Sequence, residues 1–78
     1  MLKYIKVPLA KNQLSALVSF VFNVGIGAFS KSTLLRKLND GLYDEVPKEL
    51  NRWVKANGQP LKGLIKRRRI EGQVWSND

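Results

Sequence analysis

The sequence predicts an all-α fold, a small bundle of about four to five helices gathered around a buried central helix. Two long segments, residues 13–24 and 61–75, repeat apolar residues at helical spacing. No strand-like alternation follows the first seven residues, and turn or loop signals at residues 39–41 and 56–60 separate the helical segments. With 78 residues, the chain has the size of one domain with a thin core.

The chain is predicted to divide at Pro8, because the residue before a proline disfavours helix. Residues 1–7 are predicted to be a leader, or the end of something that begins upstream, and residues 8–78 a helical domain. Lysines within the first six residues stand where a signal peptide needs an apolar core. We therefore expect no signal peptide.

The central helix is predicted over Gln13–Val24. Its apolar residues follow helical spacing, and two phenylalanines widen the apolar stripe until it covers nearly every face. A helix of this kind is expected to be buried, with the other elements packed around it. Gly25 is predicted to stop the helix in a left-handed conformation, and Gly27 to allow a second tight turn.

Two elements follow the central helix. Ser30 or Ser32 is predicted to cap a helix that runs to about Leu38. Leu42–Val54 is predicted to be one helix or two short ones. The break is expected two or three residues before Pro47, because a proline is tolerated only in a first helical turn.

The last helix, predicted over Leu61–Trp75, has an arginine within its apolar face. A buried arginine needs a partner, so Arg68 is expected to pair with Glu71 or with the preceding elements. The alternative is that Arg68 lines a surface on which a second body docks. The residues predicted for the apolar face are Leu61, Leu64, Ile65 and Trp75, and those predicted for a hydrated basic face are Lys62, Lys66 and Arg69.

The amino-acid composition excludes several kinds of functional site. The chain has no cysteine and no histidine, which excludes disulfides, thiolate zinc sites and catalytic Ser-His or Cys-His arrangements. We therefore expect no cofactor and no metal. The segment Asn12–Ser30 is too polar to span a bilayer, so no transmembrane segment is expected. A formal charge of +8 favours polyanionic partners such as nucleic acid, anionic lipid or an anionic cell wall.

The six acidic residues form no recognisable catalytic pair. Hydrolysis of a glycosidic bond needs two opposed carboxyl groups, whereas Glu45 and Glu49 are predicted to lie side by side on a helix surface. None of the six is predicted in the apolar surroundings that raise a carboxyl pKa. The basic run Lys66–Arg69 leaves nucleic-acid binding open as a minor alternative. A basic amphipathic helix leaves binding to anionic membranes open as a secondary activity.

The segment Val7–Gly25 closely resembles the phage-type lysozymes, the endolysin family, and the resemblance covers roughly residues 7–76. It implies the carboxy-terminal lobe of that family's fold. The family's catalytic Glu, Asp and Thr belong to an amino-terminal lobe upstream of everything present here, so no catalytic residue is assigned in this sequence. The further matching motifs are Gly27-Ala28-Phe29, Ser32-Thr33-Leu34, Leu50-Asn51-Arg52-Trp53, Gly63-Leu64, and Arg67-Arg68 with Glu71 and Trp75.

The resemblance implies that the complete enzyme hydrolyses the β-1,4 link between N-acetylmuramic acid and N-acetylglucosamine in peptidoglycan. This lobe would form one wall of the substrate cleft, and its predicted substrate-binding residues are Phe22, Asn23, Ser32 and Arg52. Helical spacing alone would instead place Phe22 in the core. The amide of Asn23 would then only cap helix carbonyls, and Arg52 would have a structural role beside Trp53.

The chain alone is predicted to be inactive. Its expected partners are peptidoglycan and either an amino-terminal catalytic lobe or a second copy, bound through apolar surface that an absent lobe leaves exposed. As part of an endolysin it would be made in the cytoplasm of the bacterial host and act at the periplasmic cell wall. The alternatives are a non-catalytic peptidoglycan-binding module and a small basic nucleic-acid-binding protein.

Overall fold

Five α-helices carry the fold in this computed structural model, which describes residues 2–56 and 58–76. The predicted all-α class and number of helices are confirmed. The helices are Lys11–Val24 (α1), Ile26–Ser30 (α2), Thr33–Asn39 (α3), Val46–Leu50 (α4) and Lys62–Ser76 (α5). The remaining elements are the 3-10 turns Leu2–Tyr4 and Tyr43–Glu45 and an antiparallel hairpin of Lys55–Ala56 (β1) with Gln59–Pro60 (β2).

Several helices begin or end at the residues that the sequence predicts, because of interactions made within a few residues. Gly25 has a φ of 94°, and its N–H donates to Val21 O at 2.8 Å, which ends α1. At the start of α1, Gln13 Oε1 accepts a hydrogen bond from the Ala10 N–H at 2.9 Å. Pro47 lies in the first turn of α4, where its missing N–H leaves no helical bond unmade.

Ser32 caps α3, as predicted. Its Oγ accepts from the Leu35 N–H at 3.1 Å and donates to Phe29 O at 2.7 Å, which joins α2 to α3. Replacing Ser32 with alanine is expected to lower the free energy of unfolding by about 1 kcal/mol, measured by urea denaturation. Ser15→Ala, at an exposed position within α1, is the matched control. An equal loss of stability in both variants would contradict the capping role.

Three local predictions are wrong. Gly27 lies inside α2 rather than in a turn. The helical segment that was predicted to reach Val54 ends at Leu50. Residues 56–60, predicted to be a loop, include three of the four strand residues of the hairpin, and Asn57 of that segment lies outside the described residues. Strands of two residues are too short to show an alternating pattern, so the sequence does not reveal them.

The core lies on one side of α1, where α2, α3, α4 and α5 close around it. Phe20 is fully buried and meets the rings of Phe29 and Trp53 edge to face, with centroid distances of 6.4 and 5.4 Å. α5 packs along both α1 and α4. The buried apolar residues are Ala16, Leu17, Phe20, Phe29, Leu34, Leu35, Leu38, Val46, Leu50 and Trp75.

Side-chain hydrogen bonds fasten the last turn of α5 to the start of the domain. Asn12 Nδ2 donates to Val74 O and to Trp75 O, each at 3.0 Å. Trp75 Nε1 donates to Tyr43 O at 3.1 Å, and the Tyr43 hydroxyl donates to Pro8 O at 2.7 Å. The carbonyls of a last helical turn have no partner within their own helix, and Asn12 supplies one.

α1 is buried on one face only. Its residues toward the core are fully covered, whereas Val18 is 50% and Phe22 86% exposed. The predictions that α1 is buried on most sides and that helical spacing places Phe22 in the core are therefore wrong. A second apolar stripe is exposed at Val18 and Phe22, while Leu14 and Val21 within it are half-buried and Val21 also contacts the core. We call this stripe the apolar face of α1, and it consists of Leu14, Val18, Val21 and Phe22, with Leu2 beside it.

Candidate functional site

Arg68 and Glu71 form a buried ion pair on the inner side of α5, and this confirms their predicted pairing. The two residues are 1% and 2% exposed. Arg68 Nε lies 2.8 Å from Glu71 Oε1, and Arg68 Nη2 donates to Glu71 Oε2 at 3.1 Å. The predicted apolar face of α5 is confirmed in part, because Trp75 is buried and Leu64 is half-buried, whereas Leu61 and Ile65 are 45% and 39% exposed. The buried residues on the inner side of α5 are the ion pair and Trp75.

Groups from both α1 and α5 hold this ion pair. Ser19 Oγ donates to Glu71 Oε2 at 2.6 Å, and Arg67 Nε lies 3.5 Å from the same oxygen. The Arg68 guanidinium also lies over the ring of Phe20, 5.0 Å from its centroid. Burial lowers the pKa of Arg68, although the Glu71 carboxylate opposes this effect. A guanidinium remains charged at physiological pH, so two opposite charges compensate each other in the interior.

Arg68 also orients the side chain of Asn23 at the end of α1. Arg68 Nη2 donates to Asn23 Oδ1 at 3.0 Å. A guanidinium has donors only, so the amide must turn its oxygen toward Arg68 and its NH₂ group away from it. Asn23 is exposed, and its Nδ2 makes no hydrogen bond within the described residues. The two N–H donors of Asn23 are therefore held in one orientation, pointing away from Arg68, and can bind an acceptor from outside the described chain. The capping of helix carbonyls, which was the alternative role for this amide, is not observed within the described residues.

Phe22 lies next to Asn23 on the outside of the molecule. Its ring borders a depression of about 430 Å³ that the apolar face of α1 lines. A second depression, of about 490 Å³, shares Phe22 with the first and is lined also by Ser15, Ser19 and Arg67. An aromatic ring that is 86% exposed gains nothing from the core of this domain. Its position fits contact with another molecule or another part of a protein.

The other two predicted site residues make polar contacts of their own, separate from the bond between Arg68 and Asn23. Ser32 is 9% exposed and uses its hydroxyl in the cap of α3, beside a separate polar depression of about 360 Å³. The side chain of Arg52 is 69% exposed and lies 3.6 Å from Glu49 Oε1. No hydrogen bond or ion pair within residues 2–56 and 58–76 joins either residue to Phe22 or Asn23.

Two carboxylates are more buried than predicted, and both are bound by cations. Glu49, predicted on a helix surface, is 4% exposed and lies 3.1 Å from Lys37 Nζ. Glu71 is held by Arg68. Lys37 Nζ also lies 3.5 Å from Glu45, and the salt bridges raise the pKa of Lys37. Both carboxylates are therefore engaged in ion pairs within the described residues.

The bond between Arg68 and Asn23 is the part of the site that sequence reasoning missed. Each residue is unusual in the sequence, since Arg68 is an arginine within an apolar stripe and Asn23 is an amide at the end of a helix. They lie 45 positions apart, and only the packing of α5 on α1 brings them together. In the described part of the chain, no cluster of acidic residues suits a metal ion, and no helix has the length and hydrophobicity needed to cross a membrane.

Comparison with known proteins assigns the family. Residues 1–71 match the family model for phage lysozyme. The endolysin of Acyrthosiphon pisum secondary endosymbiont phage 1 is 55% identical over 77 residues, an alignment that covers 94% of this chain and 53% of the relative. The SAR-endolysin of Escherichia phage Mu is 47% identical over 74 residues, covering 95% of this chain and 43% of the relative. The chain thus spans about half the length of these relatives.

Solved structures agree with this assignment. The muramidase domain of SpmX from Asticaccaulis excentricus superposes with a TM-score of 0.90 at 39% identity, covering 97% of this chain and 54% of that one. A P22 lysozyme superposes with a TM-score of 0.89 at 37% identity, covering 96% of this chain and 51% of that one. Sequence and fold agree over nearly the whole chain, and the protein belongs to the phage lysozyme family.

Proposed function

We propose that this chain forms one wall of the substrate groove of a lysozyme that hydrolyses peptidoglycan, and that the reacting carboxyl groups come from a second, catalytic part. The observation that carries the proposal is the pair Phe22 and Asn23, an exposed aromatic ring beside an amide held in one orientation. Binding sites combine aromatic surface with a few fixed polar groups. Such a wall binds and orients a sugar chain without supplying the acid.

The orientation of Asn23 indicates which sugar groups it binds. Its outward NH₂ group donates, so its partner on the substrate is an acceptor. Each sugar of peptidoglycan carries an acetamido group whose carbonyl oxygen is such an acceptor. Phe22 supplies apolar surface for a sugar ring next to it. Ser32 and Arg52 remain predicted contacts for parts of the glycan beyond this pair.

The apolar face of α1 is the proposed docking surface for the catalytic part. Exposed apolar patches on small domains mark interaction sites, and this one joins Phe22 directly. A catalytic part seated here would lie beside the residues that bind the sugar, which is what a cleft between two walls requires. A second copy of the chain is the competing occupant. Assembled in this way, the enzyme would act at the bacterial cell wall.

Complementation tests the proposal. The purified chain is mixed with the catalytic half of a relative, such as the phage Mu endolysin, and the clearing of a peptidoglycan suspension is followed. Neither half alone is expected to clear the suspension, whereas the mixture of the two halves is expected to clear it. Val18→Asp is expected to abolish complementation, because it places a charge on the docking surface. Leu42→Asp is the matched control, since Leu42 is 47% exposed and lines neither depression beside Phe22.

Three outcomes would change the proposal. Clearing by the chain alone would show that it contains its own catalytic groups. Binding to purified peptidoglycan without complementation would favour the non-catalytic binding module. A stable dimer in sedimentation, dissociated by Val18→Asp but not by Leu42→Asp, would assign the apolar face of α1 to a second copy.

A further inference from the structure

The outer face of α5 combines exposed cations with exposed aliphatic side chains. Lys62, Lys66 and Arg69 follow one another at spacings of four and three residues and are all exposed. Ile65 and Ile70 lie at the two margins of this basic stripe and are 39% and 48% exposed. We call these five residues the outer face of α5. The sequence pattern predicted Ile65 on the apolar face of the helix. Because Ile65 is exposed instead, the solvent-facing side of α5 carries both charged and aliphatic side chains.

No described acidic residue neutralises this stripe. None of Lys62, Lys66 and Arg69 forms an ion pair within residues 2–56 and 58–76. The acidic groups of the described chain lie elsewhere. Glu71 is buried on the inner side of α5, and the others are Asp40, Asp44, Glu45 and Glu49, which belong to the segment from the end of α3 to α4. The three cations on the outer face of α5 therefore have no ion-pair partner among the described residues and remain available to an external anion.

We propose that the outer face of α5 binds the surface of an anionic phospholipid bilayer. Lysine and arginine side chains lie along apolar surface while their charged groups reach phosphate, and two isoleucines beside them can enter the headgroup region. Helices of this composition lie in the plane of an anionic membrane surface. A nucleic acid fits less well, because single strands bind through stacked aromatic rings and this face has none.

This binding surface is independent of the proposed groove wall. Lys66 and Arg68 are about 200° apart around the helix axis, so the outer face of α5 points away from the ion pair that joins α5 to α1. A chain lying on a membrane through this face would keep Phe22 and Asn23 free. Membrane binding can therefore be measured without any hydrolytic activity, and its failure leaves the proposed function untouched.

Vesicle co-sedimentation of the 78-residue chain tests the proposal. Vesicles of phosphatidylcholine and phosphatidylglycerol are expected to bind the chain, vesicles of phosphatidylcholine alone to bind it weakly, and added salt to release it. The variant Lys66→Gln/Arg69→Gln is expected to bind anionic vesicles about 25-fold more weakly, since each basic residue at the surface contributes about fivefold. Ile70→Ser is expected to weaken binding roughly fivefold.

Matched controls separate a specific surface from net charge. Lys31→Gln/Arg36→Gln removes the same charge from two exposed positions, one shortly before α3 and one within it, and is expected to change binding far less. Leu42→Ser is the control for Ile70→Ser, because the two residues are 47% and 48% exposed. Equal losses in variants and controls, or no preference for anionic vesicles, would overturn the proposal. A salt-sensitive shift of a DNA duplex at chain concentrations that leave vesicles unbound would assign the face to nucleic acid instead.

Discussion

Arg68→Met is expected to lower the free energy of unfolding by about 3–5 kcal/mol, because it leaves the Glu71 carboxylate buried without its cation. Domains of this size have total stabilities of about 4–12 kcal/mol, so the loss is a large part of the whole. Urea denaturation measures it. Arg67→Met is the matched control, since Arg67 is adjacent, has a side chain 41% exposed and lies 3.5 Å from the same carboxylate. Its expected loss is below about 1 kcal/mol.

A second substitution distinguishes the ion pair from simple packing. Arg68→Met combined with Glu71→Leu removes both charges and fills the space with apolar groups, so most of the lost stability is expected to return. The two single variants and the double variant form a cycle that gives the coupling energy between the residues. A double variant less stable than Arg68→Met alone would show that the residues do not act as a pair. Unchanged stability in Arg68→Met would overturn the buried pair itself.

Asn23→Asp is expected to weaken binding of the chain to peptidoglycan about 10–100-fold while leaving the fold intact. The carboxylate keeps an oxygen for Arg68 to bind, so the contact at the end of α1 is preserved. What the substitution removes is the pair of outward N–H donors, and a negative charge takes their place. Pull-down on purified peptidoglycan measures the binding, and urea denaturation verifies that stability has not fallen.

The matched control for Asn23→Asp is Gln73→Glu, which makes the same change from amide to carboxylate at an exposed position of α5. Gln73→Glu is expected to bind peptidoglycan like the original chain. Binding of Asn23→Asp at the original strength would show that the outward donors are not used. A loss of the same size in Gln73→Glu would attribute the effect to net charge rather than to Asn23.

Much of the fold was predictable because the relevant signals are local. A glycine with positive φ ends α1 at Gly25, a serine oxygen caps α3 at Ser32, and a proline begins α4 near Pro47. The Arg68–Glu71 pair was also predictable, since the two residues are three apart on one helix and a buried arginine needs a carboxylate. Each of these predictions depends on chemistry within a few residues.

What the sequence could not reveal is which apolar stripe faces the core. α1 has apolar residues on nearly every side, and helical periodicity alone does not indicate which side packs against the other helices. The exposure of Phe22 follows from the absence of a covering element among the described residues, and the relatives are about twice as long. The burial of Glu49 likewise depends on Lys37, twelve positions away, which no helical pattern connects to it.

The hydrogen bonds from Asn12 to the carbonyls of Val74 and Trp75 have a consequence for engineering. They place the first turn of α1 beside the last turn of α5, although 62 positions separate Asn12 from Val74 in the chain. Both bonds end on backbone carbonyl oxygens, which every residue type supplies. Substitutions of the Val74 side chain are therefore expected to leave this fastening between the two helices in place, whereas substitutions of Asn12 remove it.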